Sequence, residues 1–158
     1  MNGLGVSQYY STNTMTNHPN LIWAGSQDQG IQRSYNSGEG VLDFDQLISG
    51  DYGHLSTSDG GQSMWIVYPG FVSRVLYPND NWQSWEFQGS GYLWMPPIVE
   101  HPTNSNKCFL AGGSISNGNK IIELTDTGSQ ILANEFQYNF NSTITAIDYS
   151  PIDPNYMY

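Results

Sequence analysis

His18-Pro19-Asn20-Leu21-Ile22-Trp23-Ala24-Gly25-Ser26 reads as a turn, an apolar run and a glycine, and the chain repeats it. A looser copy is His101-Pro102-Thr103-Asn104-Ser105-Asn106-Lys107-Cys108-Phe109-Leu110-Ala111-Gly112-Gly113-Ser114. A third is Ser150-Pro151-Ile152-Asp153-Pro154-Asn155-Tyr156-Met157-Tyr158. Proline and asparagine favour the turn, and a short apolar run between turns favours a strand. Aligned on the last asparagine of each turn, Asn20 and Asn106 lie 86 residues apart, two units of 43, and Asn106 and Asn155 lie 49 apart. A period in the forties is the size of one four-stranded propeller blade. The repeat therefore predicts blades with Asn20, Asn106 and Asn155 at equivalent turns.

Other short apolar runs fill the spaces between copies: 64–68, 71–77, 92–95, 120–124 and 144–147. Nowhere does a dozen-residue segment keep helical periodicity before a Gly, Pro or Asn interrupts it. The expectation is an all-β chain, a β-propeller segment of three to four four-stranded blades. Residues 1–158 then form a single partial domain with repeat turns near 18–26, 101–114 and 150–158. The longest apolar run, Met64 to Tyr68, is far short of the roughly 20 residues of a membrane-spanning helix, so no membrane insertion is expected. Residues Met1 to Ser7 carry neither a basic region nor an apolar stretch, so no signal peptide is read there.

Charge narrows the partners. Fourteen acidic residues face four basic ones, Arg33, Arg74, Lys107 and Lys120, for a net charge of −10. Four cations neutralise few phosphates, which argues against nucleic acid and against anionic membrane surfaces. The polar surface comes instead from 15 Asn, 18 Ser and 17 Gly. Cys108 is the one cysteine, so it forms no internal disulfide, and its apolar run predicts a buried structural thiol.

Between the first two copies lies Thr57-Ser58-Asp59-Gly60-Gly61-Gln62-Ser63-Met64-Trp65, which resembles the Asp-box hairpin, with Met64 displacing the aromatic residue by one. Here Asp59 is expected to accept backbone N–H bonds, Gly61 to take positive φ, and Trp65 to anchor the hairpin between sheets. The role is structural. A wider resemblance runs through Asn2-Gly3-Leu4, Gln8-Tyr9-Tyr10, Pro19-Asn20, Gly25-Ser26-Gln27-Asp28-Gln29-Gly30 and Gly50-Asp51-Tyr52-Gly53. This order resembles the secreted sialidase-like and sortilin-like propellers, most of all those in surface proteins of bacteria that use type IX secretion. The resemblance implies a secreted or cell-surface location and a ring of six to eight blades. The remaining blades would come from a longer parent protein or from another chain.

Several residues are candidates for chemistry. Asp28 and Asp51 sit beside glycines at strand ends, and paired carboxylates are what glycoside hydrolysis requires. The resemblance extends to xyloglucan hydrolases built on propellers, so catalysis by Asp28 and Asp51 is the alternative to a role in fixing turns. Trp82 and Trp85 are expected in a polar loop, Asn79 to Trp85, where exposed indoles beside amides suit stacking on sugar rings. Trp85 and Trp94 are expected in the core, whereas Trp82 suits core and ligand equally. Asp43 and Asp45 share a face if 42–48 is extended, a solvated face rather than a metal site. His18, His54 and His101 have no zinc spacing, and neither metal nor cofactor is expected. The leading expectation is a non-catalytic binding or scaffold segment with a glycan or protein ligand, contacted through Trp82, Trp85, Asp28 and Asp51.

Overall fold

The computed structural model describes residues 7–15, 17–35, 43–150 and 152–158. Asn2-Gly3-Leu4 and the start of the 42–48 segment fall outside them. Twelve strands form three antiparallel sheets of four, each in sequence order. The first holds β1 (Tyr9–Met15), β2 (His18–Ser26), β3 (Gly30–Ser34) and β4 (Asp45–Ile48). The second holds β5 (Leu55–Ser56), β6 (Ser63–Tyr68), β7 (Phe71–Leu76) and β8 (Asn81–Glu86). The third holds β9 (Ile98–Glu100), β10 (Lys107–Leu110), β11 (Ile122–Asp126) and β12 (Ile131–Glu135). A fourth unit begins as a hairpin in which Asp148 and Tyr158 exchange both backbone bonds, at 2.9 and 3.0 Å. No helix occurs among the described residues. These are the propeller blades that the repeat predicts, three complete and one begun.

The sheets pack face to face, and the side-chain alternation of β6 shows why. Met64 and Ile66 point toward the first sheet and pack with Leu21, Trp23 and Ile31. Trp65 and Val67 point the other way and pack with Cys108, Leu110 and Ile122 of the third. A middle strand with both faces covered reads as an unbroken apolar run, and each fully buried side chain contributes roughly 1.5–3 kcal/mol. The extra residue at Met64 therefore leaves Trp65 inside. Cys108 is buried, as expected, and burial pushes its thiol pKa up.

The Asp59 turn is a further copy of the repeat, between the first two read from the sequence. Asp59 Oδ1 accepts the Gly61 N–H (3.2 Å), Asn104 Oδ1 the Asn106 N–H (3.2 Å) and Asp153 Oδ1 the Asn155 N–H (3.0 Å). All three turns join the first and second strands of their units, at spacings of 45 and 49 residues. Asn20 departs from the expected equivalence, because it lies within β2 rather than in a turn. The feature that repeats is a side-chain oxygen two residues before a backbone donor, which Asp and Asn supply equally. A Pro-Asn pattern passes over Asp59 for that reason.

A second repeated device ties the sheets together. Arg33 on β3 lies opposite Trp23, with Cζ 4.8 Å from the indole centroid, and grips Asp80 of the second sheet through both terminal nitrogens (2.6 and 2.9 Å). Arg74 on β7 lies opposite Trp65 at 5.6 Å and reaches Asp126 of the third sheet at 2.7 Å. In the third sheet the matching pair is Phe109 and Glu123, with no arginine.

Candidate functional site

The β2–β3 turn carries Asp28 in the left-handed region (φ 62°) beside Gly30 (φ 74°), where a Cβ would fall 1.7 Å from the Ile48 carbonyl oxygen. That close approach brings the 49–53 segment against the turn. Asp51 Oδ1 accepts the Asp28 N–H at 2.7 Å, Gln29 and Gly50 form a parallel bridge, and the Tyr52 N–H donates to the Ser26 carbonyl at 3.2 Å. Asp28 and Asp51, 23 residues apart in sequence, therefore share one end of the first sheet.

Beside them opens a cleft of about 270 Å³, lined by Ser7, Gln8, Gln27, Asp28 and Gln29. The Tyr10 hydroxyl donates to Gln27 Oε1 at 3.3 Å. Burial, then the charges of Asp51 and Asp28, raise the Tyr10 pKa, so the phenol stays a neutral donor. Trp94 meets the Tyr10 ring edge-on at 5.7 Å and leaves 52% of its surface in solvent. The cleft thus offers amides, one hydroxyl and a carboxylate, with the Tyr10 phenol behind Gln27 and an open indole beside that phenol. Such a set can hydrogen-bond a neutral polyol and stack against its ring.

The tryptophans are distributed differently from the expectation. Asn79 to Trp85 is not a loop: Asn81–Glu86 is β8, in which Val75 pairs with Trp82 and Val72 with Trp85. Three residues apart on a strand, the two indoles take opposite faces. Trp85 is buried between the second and third sheets, while Trp82 packs toward the first sheet, edge-on to Tyr52 at 6.2 Å. Trp94, expected in the core, is the exposed one, because the segment before β9 runs outside the sheets. Asp43 and Asp45 are both exposed, Asp43 before β4 and Asp45 at its start, and His101 packs among Phe109 and Tyr149.

At the other end of the molecule, Asp59 accepts the Gly61 and Ser63 N–H groups and the Thr57 and Ser63 hydroxyls. Gly61 (φ 88°) has no room for a side chain, since a Cβ would sit 2.0 Å from the Met15 sulfur. Trp65 Nε1–H donates to the Ser105 carbonyl at 3.0 Å, so the turn clasps the third sheet. Sequence reasoning passed over Tyr10, Gln27 and Gln29 as site residues and Arg33, Asp80, Arg74 and Asp126 as joints. Gln27 and Gln29 flank Asp28 in the quoted motif, which was the available signal; nothing local pairs an arginine with a carboxylate 47 or 52 residues away.

No protein-family model and no curated protein matches the sequence. Solved structures do. The chain is similar to the β-propeller domain of Cps50 (Swd1) from Myceliophteria thermophila, with a TM-score of 0.69, 12% identity, 93% of this chain covered and 46% of that one. It is also similar to the extracellular domain of BT4673 from B. thetaiotaomicron, with a TM-score of 0.61, 17% identity, 96% of this chain covered and 19% of that one. The likeness is one of fold, and the chain spans less than half the length of either.

Proposed function

We propose that the chain is a non-catalytic binding segment of a larger propeller in an exported bacterial surface protein, with its ligand in the cleft beside Asp28, Tyr10 and Trp94. The observation that carries this reading is the 2.7 Å bond from the Asp28 N–H to Asp51, which commits one of the two carboxylates to holding a turn. Both arginines of the chain are likewise engaged in joints between sheets, leaving neither to hold an anionic substrate. A neutral glycan suits the amide-rich lining, with a polar protein surface as the other form of ligand. A share of charged residues of only 11%, many amides and the extracellular origin of one structural neighbour support export. The remaining blades, from the parent protein or another chain, complete the ring. No membrane or nucleic-acid contact belongs to this reading, and neither does a cofactor.

The second reading, a glycoside hydrolase of the xyloglucanase or sialidase type, draws on the same contact, because it brings Asp51 against the turn whose Asp28 lines the cleft. Titration calorimetry with neutral oligosaccharides, alongside hydrolysis assays, separates the two. Binding should weaken at least tenfold in Asp28→Ala and Trp94→Ala and persist in Asp51→Asn, whose amide oxygen still accepts the turn N–H. Turnover by the wild type that disappears in both Asp28→Asn and Asp51→Asn would replace the binding reading with the enzymatic one.

A further inference from the structure

Glu100, at the end of β9, is 2% exposed, and its carboxyl faces the Asp59 turn of the neighbouring sheet. Its Oε2 accepts the Ser58 N–H, and its Oε1 lies 3.0 Å from the Ser63 hydroxyl oxygen. That same hydroxyl oxygen lies 2.8 Å from Asp59 Oδ2. A serine hydroxyl has one proton and can donate to one of them. Asp59 already receives the N–H groups of Gly61 and Ser63 and the Thr57 hydroxyl, an environment that stabilises a carboxylate. The Ser63 proton therefore goes to Asp59, which leaves two oxygens 3.0 Å apart with a hydrogen needed between them.

We infer that Glu100 is a neutral carboxylic acid in the folded protein, donating through Ser63 to Asp59, and that loss of this proton to solvent base weakens the joint between the second and third sheets. The surrounding charges agree. Asp59 faces Glu100 from the β5–β6 turn, Arg74 from β7 is held by Asp126 of β11, and the Cys108 thiol on β10 is neutral. Burial first, then the Asp59 charge, push the Glu100 pKa up to about 8, against the Ser63 and Ser58 bonds and Arg74, which pull it down. On Asp59, burial raises the pKa, but the Ser63, Thr57 and Ser105 bonds outweigh it and hold it below the usual carboxylate value.

The direction of the pH effect follows from linkage. The folded pKa lies above the unfolded one of about 4.3, so the proton stabilises the joint fully below that value and is lost as pH rises through about 8. Ionisation leaves a second negative charge beside Asp59 in a site sealed by Trp65 and Ser105. The protein thus carries an alkaline-side switch at one blade joint, placed where Ser58 also bonds the His101 carbonyl at 2.8 Å.

The test compares the intact protein with Glu100→Gln, whose amide keeps a donor toward Ser63 and an acceptor for Ser58. Relative to that variant, the wild-type folding constant should fall about tenfold per pH unit from about pH 5 to about pH 8 and then level off. Equal pH slopes for the two proteins would overturn the inference. Carbon-13 titration of the glutamate carboxyls in the wild type gives a reading that needs no variant to fold. A Glu100 carboxyl that ionises below pH 6 would overturn it as well. Asp59→Asn should lower the Glu100 titration, and an unmoved titration there would remove Asp59 from the mechanism as drawn.

Discussion

The two arginine joints differ in one respect that sets their energetic weight. Arg33 and Arg74 are equally buried, at 4% and 5% exposure, but Asp80 is 40% exposed and Asp126 only 2%. Neutralising Asp126 with Asp126→Asn keeps an oxygen for the Gly128 N–H, which Asp126 now bonds at 2.7 Å, and strands the Arg74 guanidinium away from water. Breaking a buried pair by removing one partner costs about 3–5 kcal/mol. Asp80→Asn opens onto solvent, which can hydrate Arg33 through the space the carboxylate shares with water, so its cost should fall near that of an exposed pair, about 1 kcal/mol. Urea unfolding reads the difference: with a slope of about 1–3 kcal/mol per molar, Asp126→Asn should move the midpoint down by about 1 M or more, and Asp80→Asn by less than about half that. Replacing both partners, Arg74→Met with Asp126→Leu, should recover much of the loss, because it removes the stranded charge. Equal costs for the two single variants, or a cost below about 1 kcal/mol for Asp126→Asn, would refute the claim that solvent access decides the weight of these joints.

Asp59→Ala should cost about 1–3 kcal/mol in denaturant titration by stranding the Gly61 and Ser63 donors, and unchanged stability would remove the turn from the list of joints. Because its pKa is held low in the fold, the Asp59 contribution is complete above the ordinary value and is lost as pH falls below about 4, so acid unfolding should begin at higher pH without these bonds than with them; Thr57→Ala tests this. Trp85→Ala, which empties a site between two sheets, should cost about 3–5 kcal/mol, and Trp82→Ala clearly less; the reverse order in thermal unfolding would contradict the assigned faces. The hairpin at 148–158 leaves Ile152, Tyr156 and Tyr158 largely exposed, and beside it lies an apolar hollow of about 120 Å³ lined by Ile121, Phe140, Ile144 and Met157. The 158-residue chain alone should therefore self-associate in sedimentation velocity, and a monodisperse monomer would show that this face needs no cover.

The sequence by itself determined the blades. Short apolar runs between Asn, Pro and Gly turns at a period in the forties admit strands and exclude long helices, and that local chemistry reappears as three four-stranded sheets and a hairpin. It also determined the Asp59 turn, because the Thr57, Gly61 and Ser63 donors that close it on that carboxylate lie within four residues. The tertiary structure alone decided which faces are covered. Trp94 in its apolar run read as core and Trp82 in its polar stretch as core or ligand, yet Trp82 packs edge-on to Tyr52 and Trp94 stands in solvent, because burial depends on what the adjoining sheet supplies. Asp28 and Asp51 were legible as a pair, with fixing a turn as one of two readings, but that Asp51 takes the Asp28 N–H follows only from a 2.7 Å contact across 23 residues of chain. The arginine joints and the proton between Glu100 and Ser63 were invisible for the same reason. Each depends on a partner 37 to 52 residues away, brought near only when one sheet lies against the next and takes Arg33, Arg74 and Glu100 out of the water that would otherwise satisfy them.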